Sequence, residues 1–207
     1  GYEMSSNYIF QRLVKDNYAS EPKKLIDNLY RYRFGEAFDF DLQGLATPVL
    51  PSPDSEHWTM TDLASVAIGY AVAETPLHIL TFYNAIANKG RMMRPYIVES
   101  VEKDGRIVKK KGPSVLNGAV CSREVADSLT SGLLSITSEG TASRLKDAKL
   151  RVAGKTGTAW VYMDPKQASR TDPFMDREGR RKYQATFVGF FPAEQPKYTA
   201  IVVLYSY

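Results

Sequence analysis

A chain of 207 residues with 43% hydrophobic and 12% aromatic content is long enough to bury one sizeable core and is not a disordered sequence. Its 27 basic and 23 acidic side chains are interspersed, so the net charge of +4 describes a mixed solvated surface. Neither Lys109-Lys110-Lys111 nor Arg180-Arg181-Lys182 carries the aromatic ladder of a nucleic-acid binder. The single Cys121 excludes an internal disulfide and a cysteine-rich zinc site, and no apolar run reaches membrane-spanning length.

In chain order, Ile9, Phe10, Leu13 and Val14 recur at helical spacing directly after Ser5-Ser6-Asn7, which places that tripeptide where a loop enters a helix, with Ser5 or Ser6 as cap. Residues 20–33 read as a second helix capped by Ser20, with Leu25, Ile26, Leu29 and Tyr32 on one face and Gly35 as its stop. Residues 35–58, with Pro48, Pro51 and Pro53, read as irregular loop. Thr75-Pro76 opens the next helix, Thr as N-cap and Pro in the first turn, and Gly90 stands just past its end. His57 and His78 lack the close spacing of a helical metal pair, so the expectation for both is an ordinary hydrogen-bonded histidine.

Residues 96–101 and 106–109 flank Asp104-Gly105, a hairpin signal. A helix over 122–136 is capped by Ser122 and turns Val125, Leu129, Leu133 and Ile136 to the core. Three β-branched and aromatic runs, 150–160, 183–191 and 198–205, predict antiparallel strands, the last two joined through the turn 192–196. Between the first two lies the polar excursion 161–182, with Pro165 and Pro173, long for a loop and suited to mobility or substrate contact. The class is α+β, an antiparallel sheet flanked by helices, without a repeat or second domain.

The triplet Lys155-Thr156-Gly157 is one of three elements of penicillin-recognising serine enzymes. Around it stand Ser5-Ser6-Asn7, Ala67-Ile-Gly-Tyr70, Thr75-Pro-Leu-His78, Ala87-Asn-Lys-Gly90, Arg94-Pro95, Gly140-Thr141-Ala142 and Val152-Ala-Gly-Lys-Thr-Gly-Thr-Ala159. In order and spacing the chain resembles the C-terminal part of a class B penicillin-binding protein, a membrane-anchored peptidoglycan D,D-transpeptidase. The resemblance implies an incomplete transpeptidase (serine β-lactamase-like) fold, residues 1–207 forming the C-terminal portion of one domain. It implies catalytic roles for Ser5, Asn7 and Lys155, substrate binding by Thr156, Gly157 and Thr158, and neither metal nor cofactor. Peptidoglycan stem peptides and β-lactam antibiotics are the implied ligands. A glycosyltransferase and other cell-wall machinery are the implied partners, on the extracytoplasmic side of the bacterial cytoplasmic membrane, with the anchor upstream.

The chemistry accounts for these residue types. The Ser5 hydroxyl can relay a proton between a lysine base and the leaving amine, and the Asn7 amide can hold a substrate amide. The Lys155 charge attracts a terminal carboxylate and disfavours protonation of a neighbouring lysine. Thr156 and Thr158 share one strand face, where both hydroxyls can meet that carboxylate, and Gly157 lets another backbone approach the strand edge. By resemblance, the Thr158 N–H contributes to the oxyanion hole. In the family that the chain resembles, the nucleophile sits in a Ser-x-x-Lys element at a helix N-terminus, tens of residues before Ser-x-Asn, yet only Gly1 to Met4 precede Ser5. Ser20-Glu-Pro-Lys23 and Ser143-Arg-Leu-Lys146 fit the pattern in the wrong place, so the nucleophile is expected outside these residues. The alternatives are a hydrolytic relative, a carboxypeptidase or β-lactamase, and a non-catalytic domain that binds muropeptides or β-lactams.

Overall fold

The computed structural model describes every residue except Pro165, Arg170 and Tyr207. Pro165, marked in the sequence as part of the long excursion, therefore lies outside the described residues. The chain forms helices α1 (Asn7–Tyr18), α2 (Pro22–Arg31), α3 (Met60–Ala67), α4 (Pro76–Ala87) and α5 (Arg123–Ser138). Its strands are β1 (Met92–Met93), β2 (Ser100–Lys103), β3 (Arg106–Lys110), β4 (Val115–Asn117), β5 (Ala153–Trp160), β6 (Tyr183–Phe191) and β7 (Tyr198–Tyr205).

Strands β5, β6 and β7 make an antiparallel sheet in that order, with unbroken register from Ala153↔Phe190 to Trp160↔Tyr183. Helix α5 lies against β5, and α4 lies against β6 and β7. Ile86 of α4, Leu133 and Ile136 of α5, Ala153 of β5 and Phe190 of β6 meet in one buried cluster. Phe190, Leu133 and Ile136 are fully buried, each burial stabilising the fold by roughly 1.5–3 kcal/mol. That cluster fixes the start of β5 against two helices and leaves the rest of the strand to line a cleft. Helices α1, α2 and α3 pack together apart from the sheet, and the β2–β3 hairpin projects from the body.

Local chemistry explains most boundaries. Thr75 caps α4, its hydroxyl accepting from the His78 N–H, with Pro76 in the first turn. Past the end of α4, Gly90 adopts φ +91°, and a Cβ there would come within 2.2 Å of the Cys121 carbonyl oxygen, so both conformation and space demand glycine. Ser122 caps α5 by accepting from the Val125 N–H, and Asp104 and Gly105 both adopt positive φ in the hairpin turn.

Several expectations need correction. The residue before α2 is Glu21 instead of Ser20, because Pro22 sits in the first turn and moves the helix start with it. Ser6 occupies the cap position of α1 without a side-chain bond. Val125 is exposed, and Ala126 takes its place in the core one position along α5. The first strand of the main sheet begins at Ala153, and β2 begins at Ser100. Helix α3 and the short β1–β4 pair are additional elements.

Candidate functional site

Strand β5 carries the candidate residues in a row, and its pairing decides which way each backbone group points. The Val161 N–H donates to the Lys182 carbonyl across the continuation of the β5–β6 ladder. Alternation then directs the N–H groups of Lys155, Gly157 and Ala159 to β6 and those of Thr156, Thr158 and Trp160 to the opposite edge. Among the described residues no strand pairs with that edge. A cleft of about 640 Å³ borders it and extends over the sheet face, lined by Lys155 through Ala159 and by Thr186 and Val188 of β6, together with Phe34, Tyr70, Glu74 and Tyr83.

Lys155 reaches out of the strand to Ser5, donating to its hydroxyl oxygen at 2.7 Å, and donates a second bond to the Thr156 carbonyl at 2.7 Å. Two of three ammonium protons are used, and one remains for a ligand. Partial burial lowers the Lys155 pKa from the ordinary lysine value. Ser5 itself is held in the left-handed region, φ 52°, uncommon for a residue with a side chain. Its N–H donates to the Tyr2 carbonyl and the Ser6 N–H to the Gly1 carbonyl. The preceding Glu3 docks on the end of α5, its carboxylate taking the Ser135 hydroxyl and its carbonyl the Thr141 N–H. A serine 150 positions away is thereby fixed beside Lys155.

The structure brings Ser5, Lys155, Thr156, Gly157 and Thr158 to the strand edge. Asn7 lies at the first position of α1, exposed, with no side-chain hydrogen bond among the described residues. Ser20 and Ser143 make no bond to Lys155: Ser20 lies in the α1–α2 turn, and Ser143 opens a single 3₁₀ turn. Thr141, which the sequence offers only as part of Gly140-Thr141-Ala142, places its hydroxyl 2.8 Å from that of Thr156 and orients it. Gly157 has no atom nearer than 3.9 Å to a would-be Cβ, so nothing in the fold itself requires glycine there.

Glu74 is a further feature of the cleft wall. One of its oxygens accepts from the Gly35 N–H at 2.7 Å, and the other is buried without a partner among the described residues. Desolvation raises its pKa to about 7. Nearby His78 is buried, stacked on Phe38 at 3.9 Å. Its Nε2–H donates to the Glu36 carbonyl and its Nδ1 accepts from the Thr75 hydroxyl, both at 2.7 Å. The Glu36 carbonyl requires a proton on Nε2, and burial lowers the ring's pKa and so favours the neutral imidazole, in which the 3.9 Å approach to Glu74 is not an ion pair. A lone glutamate before Thr-Pro gives no sequence signal of this environment.

Residues 2–206 match the family described as penicillin binding protein transpeptidase domain. The chain is 29% identical to stage V sporulation protein D of Bacillus subtilis over 88% of its own length and 26% of that protein's. It is 33% identical to the peptidoglycan D,D-transpeptidase PbpA of Mycolicibacterium smegmatis, over 78% of this chain and 31% of that protein. Penicillin-binding protein 3 of Mycobacterium tuberculosis, solved with ampicillin, superposes with a TM-score of 0.78 at 25% identity, covering 98% of this chain and 43% of that one. The chain thus spans about a quarter of the length of the first of these relatives.

Proposed function

Because the chain belongs to the penicillin-binding protein transpeptidase family, we propose that it forms the C-terminal part of a transpeptidase domain, with the active-site cleft at the open edge of β5. The observation that carries this reading is the Lys155–Ser5 bond, which joins two elements 150 residues apart at one edge. The donor peptide, a stem peptide ending in D-Ala-D-Ala, lies along β5 with its carboxylate beside Lys155 and the Thr156 and Thr158 hydroxyls. Its acyl carbonyl meets the Thr158 N–H, which belongs to the free edge and is available to an oxyanion.

The serine nucleophile and its lysine base come from a Ser-x-x-Lys element outside these 207 residues. The serine oxygen attacks the acyl carbon, and the C–N bond to the terminal D-alanine breaks. The proton taken by the base passes through the Ser5 hydroxyl to the leaving amine. Asn7, at the mouth of α1, holds the peptide amide. An amine from a neighbouring stem peptide then resolves the ester. A β-lactam enters the same place and acylates the same serine. The complete protein works at the outer face of the bacterial cytoplasmic membrane with a glycosyltransferase and other cell-wall proteins. Among the described residues no helix is long and apolar enough to cross a membrane.

The test is peptide mapping of the complete natural protein after benzylpenicillin. One penicilloyl group is expected on a serine N-terminal to Ser5, and Lys155→Ala is expected to slow its attachment by about a hundredfold or more. A stoichiometric adduct on Ser20 or Ser143, or an unchanged rate in the alanine variant, overturns the assignment. No adduct at all favours a non-catalytic binding domain.

A further inference from the structure

The open edge of β5 presents three backbone donors in register, from Thr156, Thr158 and Trp160, and the third is already taken. The Trp160 N–H donates to the Tyr70 hydroxyl at 3.3 Å. Tyr70 comes from the segment between α3 and α4, 90 residues away in sequence, and its ring stands edge-on to Trp160 and to Phe174, with centroids 6.4 and 6.1 Å apart. Trp160 is also braced by the Arg181 guanidinium, 3.8 Å from the indole centroid and paired with Asp172 at 2.6 Å. The hydroxyl that closes this donor is therefore held by a built aromatic contact.

We propose that Tyr70 is a register stop for the donor peptide, a positioning residue that confines strand addition to Thr156 and Thr158. This rests on the transpeptidase reading above, in which the carboxylate end lies at Lys155 and the residues on the amino side of the acyl carbonyl run toward Trp160. The first such residues pair with Thr158. The next ones meet the tyrosine hydroxyl where an added strand would place a carbonyl, and leave the ladder. Pairing length, and with it the alignment of the scissile bond, is set by one phenol instead of by the end of the strand. The ring packing alone gives no such selectivity, because a purely structural role affects all substrates alike.

The experiment compares the complete natural protein with Tyr70→Phe, which keeps the ring contacts and removes only the acceptor. Both are assayed on a series of acyl-D-Ala-D-Ala peptides lengthened one residue at a time on the amino side. Freeing one backbone donor is expected to raise the long-to-short ratio of kcat/KM by about fivefold, chiefly through KM, the size of one net hydrogen bond. A ratio that stays the same, whether or not all rates fall together, overturns the register stop and leaves the transpeptidase reading intact. Failure of the unsubstituted protein to react with any of the peptides or with benzylpenicillin overturns that reading and the register stop with it.

Discussion

Glu74 shows how a single buried carboxyl ties stability to pH. Its pKa is raised to about 7 from an ordinary value of 4.5, so the folded protein holds a proton that the unfolded chain releases. The favourable contribution is complete below about pH 4.5 and is lost as pH rises through about 7. Thermal unfolding of the complete protein should therefore show stability falling across that window, and Glu74→Gln should flatten the profile. At pH 8 the variant should be the more stable by on the order of 2 kcal/mol, a shift of several degrees in Tm. An identical pH profile for the two proteins would show that Glu74 is not protonated in the fold. Asp41 is the opposite case: its carboxylate accepts from the Ile97 and Val98 N–H groups and from Lys111, and its pKa falls to about 2, the Lys111 bond being the largest cause.

Among the elements, β5 separates the two uses of glycine. A Cβ at Gly154 would meet the Phe187 ring at 2.5 Å and the Val188 carbonyl oxygen at 2.7 Å, so Gly154→Ala should cost about 1–3 kcal/mol of stability. Gly157→Ala meets nothing within 3.9 Å in the fold and should leave Tm within a few degrees, while slowing penicillin acylation about tenfold by crowding the open edge. Equal effects of the two changes on Tm and acylation would contradict this division. The three sheet strands, the Thr75-Pro76 helix start and the Asp104-Gly105 turn were legible in sequence because each depends on local chemistry. Helix α3 was less so: it has eight residues and buries only Leu63 and Val66, although Thr59 and Asp62 carry the spacing of a capping box. The contact of Ser5 with Lys155, the role of Thr141 and the hold of Tyr70 on Trp160 depend on long-range packing, which periodicity does not encode. The Ser-x-Asn and Lys-Thr-Gly elements pointed to the same edge only through the family resemblance.

At the scale of the whole molecule, β7 is the far edge of the sheet among the described residues, and Tyr198, Val202 and Leu204 share one of its faces, each more than half exposed. An unpaired edge with an apolar face promotes association. The 207-residue chain in isolation should therefore elute above monomer mass, and Val202→Lys with Leu204→Lys should return it to monomer by light scattering; a monomeric unsubstituted chain would rule this out. The β2–β3 hairpin is tethered differently. Its two feet, Ile97 and Val98 on one side and Lys111 on the other, close on the single carboxylate of Asp41, which lies in the 35–58 segment. That same segment contributes Gly35 to Glu74 and Glu36 to His78 at the cleft wall. Mechanically, the hairpin is an oar and Asp41 its rowlock. A pull on the blade would bear on the strip of chain that borders the cleft, while the start of β5, two residues before Lys155, is anchored in the core cluster.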